Sequence, residues 1–290
     1  MALLASIDAS LSKSGILSVA GVSFGVDRAA RGNTKWKRLM DDRVFHMTDL
    51  NARRGSFEGL SPEEVTSIMH GIVALVRDYA SHVVAVSCDV SAISETLPKL
   101  RNNSVQTDRL LGSAFRLPYG LMLHLCMYAM GRFANVRSLG RCSISYVLES
   151  GDEGQAAFAS YINQLLEQPE FRMHERYSLS RLAIKTKGEM PSILHAADLV
   201  AWEWGRDVER RRREQPTRKS FLAVANQERS VPDYFGLTLS DRSRHFFRHY
   251  EERHVDRLVR FVRELASSAT SQDVDKALGE WAKTRFPEAG

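Results

Sequence analysis

Two short apolar segments near the start of the chain, Leu3 to Ala9 and Ile16 to Phe24, are separated by little more than Ser12-Lys13-Ser14-Gly15. A turn that short predicts an antiparallel hairpin, and it leaves Asp8 at the end of the first strand. Beyond the hairpin, helical and extended patterns alternate. A short polar helix is expected over Asn33 to Met40, and a brief strand over Val44-Phe45-His46-Met47 leading into Thr48-Asp49-Leu50. Ser61-Pro62-Glu63-Glu64 is a helix start, with Ser61 as cap, proline in the first turn and Glu64 three residues on, so a helix should run to about Ala80. Val83 to Cys88 is nearly continuous in apolar residues, as buried central strands are, and Asp89 closes it.

Further along, Leu117 to Phe133 predicts a buried helix with Pro118 in its first turn, and Ser143 to Leu148 a strand that Glu149-Ser150-Gly151 ends. Asp152 to Gln168 should be helical, Leu179 to Ile184 extended, and Pro191 to about Glu214 a long helix, apolar in its first half and charged in its second. This order predicts an α/β fold with a mixed central sheet flanked by helices. Residues 1–215 form that domain. Residues 216–290 read as a mainly helical, basic extension packed on it, with Ser267 to Ser271 a loop before a last helix through Trp281.

Composition narrows the class. Of 290 residues, 43% are hydrophobic and 26% charged, the balance of a folded globular chain. No apolar run reaches the roughly 18 to 20 residues a membrane helix needs, since the longest, around Leu121 to Met130, contains His124. Met1 to Ile7 lacks a basic flank and is cut by Asp8, unlike a signal peptide. A soluble, cytoplasmic protein with no membrane partner is expected, and the pattern is silent on oligomeric state. Cys88, Cys126 and Cys142 each lie in an apolar segment and read as packed thiols.

Three acids fall where metal chemistry would want them: Asp8 and Glu149 at strand ends, and Asp198 on a helix. Hard divalent cations such as Mg²⁺ or Mn²⁺ take oxygen ligands, and two such ions about 4 Å apart can activate water in phosphodiester hydrolysis. Acids after strands also serve as turn residues and caps. Asp198 is the exception, because it interrupts the apolar Ile193 to Trp202 face, where an unpaired acid would be costly. His195 on the same helix reads as a packed or hydrogen-bonding residue, and His124 as core.

Taken together, Val44 to Leu50, Tyr119-Gly120-Leu121, Ile144 to Gly151 and His195 to Ala201 resemble, in order, the motifs of the domain-of-unknown-function 3800 family, over about residues 3 to 210. The resemblance implies a ribonuclease H-like fold and, by analogy with that superfamily, a carboxylate site for divalent metal. Asp8 matches the aspartate that opens the family's Asp-Glu-Ser-Gly signature, and Asp198 its Ala-Asp-Leu aspartate. Here the signature reads Asp8-Ala9-Ser10-Leu11, which loses the neighbouring glutamate and delays glycine to Gly15. His46 and Asp49 match the family's His-x-x-Asp segment. They either orient a water or substrate or form a structural hydrogen-bonded pair.

Basic residues bear on partners. The net charge is +5, and Arg210, Arg211, Arg212 and Arg213 stand consecutively on the long helix. Their guanidinium forks suit phosphate oxygens of nucleic acid, although Glu209 and Glu214 dilute the run and make a solvated helix face the favoured account. Phe246, Phe247 and Tyr250, among the arginines from Arg242 to Arg260, have near-helical spacing and should pack on the main domain. The leading expectation is therefore a metal-dependent nuclease or phosphodiesterase. Its rival is a non-catalytic nucleic-acid- or protein-binding scaffold of the same fold, and a weaker third is an enzyme acting on a smaller phosphorylated compound.

Overall fold

The structure, a computed structural model, describes residues 2–41, 43–96, 117–138, 142–166, 178–225 and 245–250. Six strands form one sheet: β1 (Ala2–Leu11), β2 (Ile16–Gly25), β3 (His82–Asp89), β4 (Ser143–Glu149), β5 (Leu179–Lys185) and β6 (His245–Tyr250), in the order β5-β4-β1-β2-β3-β6. β1 and β2 are the expected hairpin, and β2 pairs antiparallel with β3; β4 runs parallel beside β1, β5 beside β4, and β6 beside β3. The helices are α1 (Val26–Met40), α2 (Met47–Ala52), α3 (Pro62–Tyr79), α4 (Val90–Thr96), α5 (Pro118–Ser138), α6 (Gln155–Leu166), α7 (Ala196–Arg212) and α8 (Lys219–Val224). A mixed sheet flanked by helices is the architecture the alternation predicts.

Side-chain parity sorts the core into two layers, because successive strand residues face opposite sides. On one side, Leu3, Ala5 and Ile7 of β1, Val84 and Val86 of β3, and Ile144, Tyr146 and Leu148 of β4 pack with α5 and α6. On the other, Ala20, Val22 and Phe24 of β2, Val83 and Ala85 of β3, and Val147 of β4 pack with α1, α3, α7 and α8. Asp8 and Glu149 have the parity of this second side. β2 is pressed from both faces at glycines. A Cβ on Gly21 would run into Met130 of α5, and one on Gly205 of α7 would lie 2.8 Å from Ser18 Oγ of β2.

Local chemistry explains the helix starts. Ser61 and Glu64 form the expected capping box on α3, with Glu64 N–H donating to Ser61 Oγ and Ser61 N–H to Glu64 Oε2. α1 begins at Val26, seven residues before the expected Asn33, because Gly25 ends the hairpin and hands the chain directly to the helix. α7 is preceded by a separate 3-10 turn, Ser192–His195, so the helix expected from Pro191 opens at Ala196.

Two expectations fail. Val44 to Met47 is no strand: His46 is extended, at φ −132° and ψ 122°, but no strand among the described residues pairs with it. Phe45 and Met47 instead plug the second core. His245–Tyr250, expected to be helical, is the sixth strand of the central sheet. The loop Ser267 to Ser271 and the helix through Trp281 lie outside the described residues. Cys88, Cys126 and Cys142 are buried thiols outside any disulfide, as expected, and burial pushes the Cys88 thiol up to about 12. Among the described residues, no helix is long and apolar enough to cross a membrane.

Candidate functional site

Register brings the first two acids together. Ile7 of β1 pairs with Leu148 of β4 in a parallel ladder, so Asp8 and Glu149 are the next residues along on adjacent strands, facing the same side. The third acid arrives on α7, whose approach is fixed by two bonds. Ser6 Oγ donates to Leu194 O at 2.6 Å, and Ile193 N–H donates to Asn33 Oδ1 at 3.2 Å. These tie the 3-10 turn to β1 and α1. Asp198 then falls in the first turn of α7, where the helix dipole favours a negative charge.

A lysine stands between all three. Lys187 Nζ lies 2.6 Å from Asp198 Oδ2, 3.2 Å from Glu149 Oε2 and 3.8 Å from Asp8 Oδ2. The first contact is an aligned hydrogen bond; the other two are ion pairs without that alignment. Asp198 Oδ2 also accepts from Met47 N–H at 3.1 Å, and Asp8 Oδ1 from Ala9 N–H at 2.7 Å. His46 Nδ1 is 2.8 Å from Lys187 Nζ. An ammonium has only donors, so this nitrogen is the acceptor and the ring proton sits on Nε2. The Lys187 side chain is 5% exposed and that of His46 43%, so the group meets solvent on the His46 side.

The Lys187 backbone is held as firmly as its ammonium. Thr186 N–H and Oγ1 both donate to Glu189 Oε2, closing a one-turn 3-10 helix over Lys187–Glu189. His195 Nε2 donates to Lys187 O at 3.0 Å. Burial holds the His195 imidazole below its ordinary value, which suits a neutral ring acting as donor.

Electrostatics at the centre are lopsided. Burial, Asp198 and the hydrogen bond to Glu149 push the Asp8 carboxyl well above the usual carboxylate range, against the pull of Lys187. Burial draws the Lys187 ammonium down, but Asp198, Asp8 and Glu149 together leave it raised. Asp152, just beyond β4, is a fourth acid in the same field. Burial and Glu149 raise it, while Tyr119 and Lys187 lower it. Tyr119 is itself raised by burial and by Asp152 and Asp8.

Asp8, Glu149 and Asp198, far apart in sequence, therefore converge. Asp49 does not join them: its Oδ1 accepts from Arg54 Nε at 2.6 Å, a surface ion pair one turn along from His46. The side chains of Arg210, Arg211 and Arg212 are engaged within the chain. Arg210 Nε donates to Pro216 O, Arg211 pairs with Asp207 and lies over the Trp204 ring, and Arg212 reaches Asp89 and His249. Arg213 caps α7. Arg211 stands thirteen positions along the helix from Asp198, about 20 Å away. Sequence reasoning missed Lys187 and Asp152. The one available signal was the basic pair Lys185 and Lys187 immediately ahead of the helix that carries a buried acid.

The donor set of three carboxylates suits a hard divalent cation. The space between the donors does not, because the Lys187 ammonium stands at the point they share. Among the described residues, no group of three His, Cys, Asp or Glu side chains is arranged to hold an ion. The residues as placed do not fit a resident metal.

The fold and site together define a mixed α/β protein with buried acids gathered at the ends of adjacent parallel strands. No protein-family model and no curated protein matches the chain, so the resemblance to the domain-of-unknown-function 3800 family rests on its short sequence motifs alone. Among solved structures it is similar to ribonuclease H2 from Pyrococcus horikoshii OT3, at 14% identity and a TM-score of 0.38, over 75% of this chain and 82% of that one. It is also similar to a chain of the PCNA:RNase HII complex from Archaeoglobus fulgidus, at 14% identity and a TM-score of 0.36, over 77% and 87%. At those scores the likeness bears on neither activity nor partners.

Proposed function

We propose that this chain hydrolyses phosphodiester bonds of nucleic acid at the centre formed by Asp8, Glu149 and Asp198. The observation that carries the reading is the meeting of three acids from β1, β4 and α7 within 3.8 Å of one ammonium. Desolvating three carboxylates for one cation is a poor way to stabilise a fold, and such arrangements concentrate where chemistry is done. The family resemblance, with its ribonuclease H-like fold and carboxylate site, points the same way.

The roles derive from charge. Three ionised carboxylates and one ammonium leave a formal excess of two negative charges, and a phosphodiester adds another. The centre therefore accepts such a substrate only with charge relieved. Asp8, whose carboxyl is raised, can hold a proton and give it to the leaving oxygen. Glu149 or Asp198 is placed to take a proton from the attacking water, and the Lys187 ammonium to donate to a phosphoryl oxygen. His46 stands at the solvent side of the group. Arg210 to Arg213, about 20 Å along α7, would meet a nucleic acid several nucleotides from the cut rather than at it.

The test is cleavage of labelled single- and double-stranded DNA, RNA and an RNA/DNA hybrid by the whole chain, with Mg²⁺, with Mn²⁺ and with chelator. Cleavage of at least one substrate that falls about 100-fold or more, on the order of a lost acid or base, in both Asp8→Asn and Asp198→Asn is the expected result. Cleavage that survives both substitutions would overturn the reading. A second reading has its own observation: Lys187 fills the centre as a structural cation would, which favours a non-catalytic nucleic-acid- or protein-binding scaffold. Retained binding with no cleavage of any substrate would select it.

A further inference from the structure

We infer that Lys187 is the resident cation of the carboxylate centre, and that a divalent metal ion gains Asp8, Glu149 and Asp198 only by displacing its ammonium. The geometry is that of a competitor. Nζ sits within 3.8 Å of all three carboxylates and within 2.8 Å of His46 Nδ1, the place from which an ion would reach the same donors. Its backbone cannot retreat, being held by the Thr186–Glu189 turn on one side and His195 on the other. Its four-carbon stem can, since rotation about the side-chain bonds moves Nζ by several ångströms without disturbing the turn. The way out is beside His46, the half-exposed member of the group.

Charge sets the terms of the exchange. A divalent ion satisfies two of the three negative charges where the ammonium satisfies one, but displacement leaves a desolvated lysine to find water. Metal binding and Lys187 placement are thus mutually exclusive. Metal affinity in this chain is set by a residue that is not itself a ligand. The inference uses the same three acids as the proposed hydrolysis but does not require that any bond be cut.

Its test is Mn²⁺ binding to the whole chain, monitored by electron paramagnetic resonance of free Mn²⁺, in wild type, Lys187→Met and Lys187→Met/Asp8→Asn. Affinity that rises about tenfold or more in the single variant, the scale on which residues around a metal site act, and falls back in the double variant is expected. Equal affinity in wild type and Lys187→Met, or a gain that survives Asp8→Asn, would overturn it. Should Lys187→Met fail to fold, nitrogen-detected NMR of lysine ammonium groups in wild type decides. A Lys187 signal that moves to the position of exposed lysines in step with Mg²⁺ occupancy supports displacement, and Mg²⁺ occupancy with that signal unmoved refutes it. Absence of nuclease activity would sink the hydrolytic reading and leave this result standing, whereas equal Mn²⁺ affinities would do the reverse.

Discussion

The two ends of α7 bury acids in opposite ways. At its N-terminal end, Asp198 joins Asp8 and Glu149 around the single ammonium of Lys187. Towards its C-terminal end, each acid has its own arginine: Glu203 faces Arg218 at 3.3 Å, Asp207 faces Arg211 at 2.5 Å and Glu209 accepts from Arg206 at 3.0 Å. Burial raises Glu203 and Asp207, but Arg218 and Arg211 pull each back towards ionisation. One cation per acid is what structural ion pairs look like. Three acids on one cation leave charge unbalanced, and that imbalance is what the proposed hydrolysis and cation exchange would use.

The contrast is sharpest in stability. Arg211→Met strips Asp207, a carboxylate with no solvent exposure, of its cation and should cost about 3 kcal/mol in urea unfolding. A loss below about 1 kcal/mol would mean that Asp207 is held by its remaining partners, and that the one-to-one description of this end is wrong.

At the other end the sign should reverse. Asp8→Asn removes a carboxylate whose charged form is disfavoured, so the variant should be more stable than wild type at pH 8, by about 1 kcal/mol. The pH dependence carries the same information. The folded chain holds the Asp8 proton more tightly than the unfolded chain, whose carboxyl titrates near about 3.9. The contribution is fully present below that value and is lost as pH rises through the raised folded value. Urea titrations at pH 5, 6.5 and 8 should show wild type losing stability along this series relative to Asp8→Asn. Parallel curves would show that Asp8 carries no such strain.

The smallest effect belongs to Asp49, which lies outside both groups. Asp49→Ala breaks only the exposed pair with Arg54 and should change stability by less than about 0.5 kcal/mol. It should also leave any nuclease activity unchanged. A large loss of activity would return Asp49 to the site.

Much of this arrangement is legible in the chain, and the reasons divide cleanly. The hairpin, the capped start of α3, the apolar run of β3 and the acid at the end of β4 depend on preferences acting over a few residues. So does the suspicion attached to Asp198, an acid on an otherwise apolar helix face. Val44 to Met47 shows the limit: the extended backbone at His46 is legible in the sequence, but a strand needs a partner and none of the described strands pairs with it. His245–Tyr250 shows the converse. Phe247 and Tyr250 suit a helix as well as a strand by spacing, and pairing with β3, some 160 residues away in the chain (Val83 with His245, for instance), selects the strand.

Lys187 is the clearest case of what sequence leaves open. A lysine in a Thr-Lys-Gly-Glu turn is ordinary, and the nearby Lys185 is the one feature of the neighbouring sequence that draws attention to it. It becomes the centre of the site because the parallel pairing of β1 with β4 sets Asp8 beside Glu149, and the tethered turn before α7 delivers Asp198 to the same point. Residue type and local pattern determined which side chains could carry charge and, apart from Val44 to Met47 and His245–Tyr250, which segments would be strands or helices. Which charges would share one small, dry volume was decided only by strand order and helix docking, since Coulomb and desolvation energies depend on separation in space rather than along the chain.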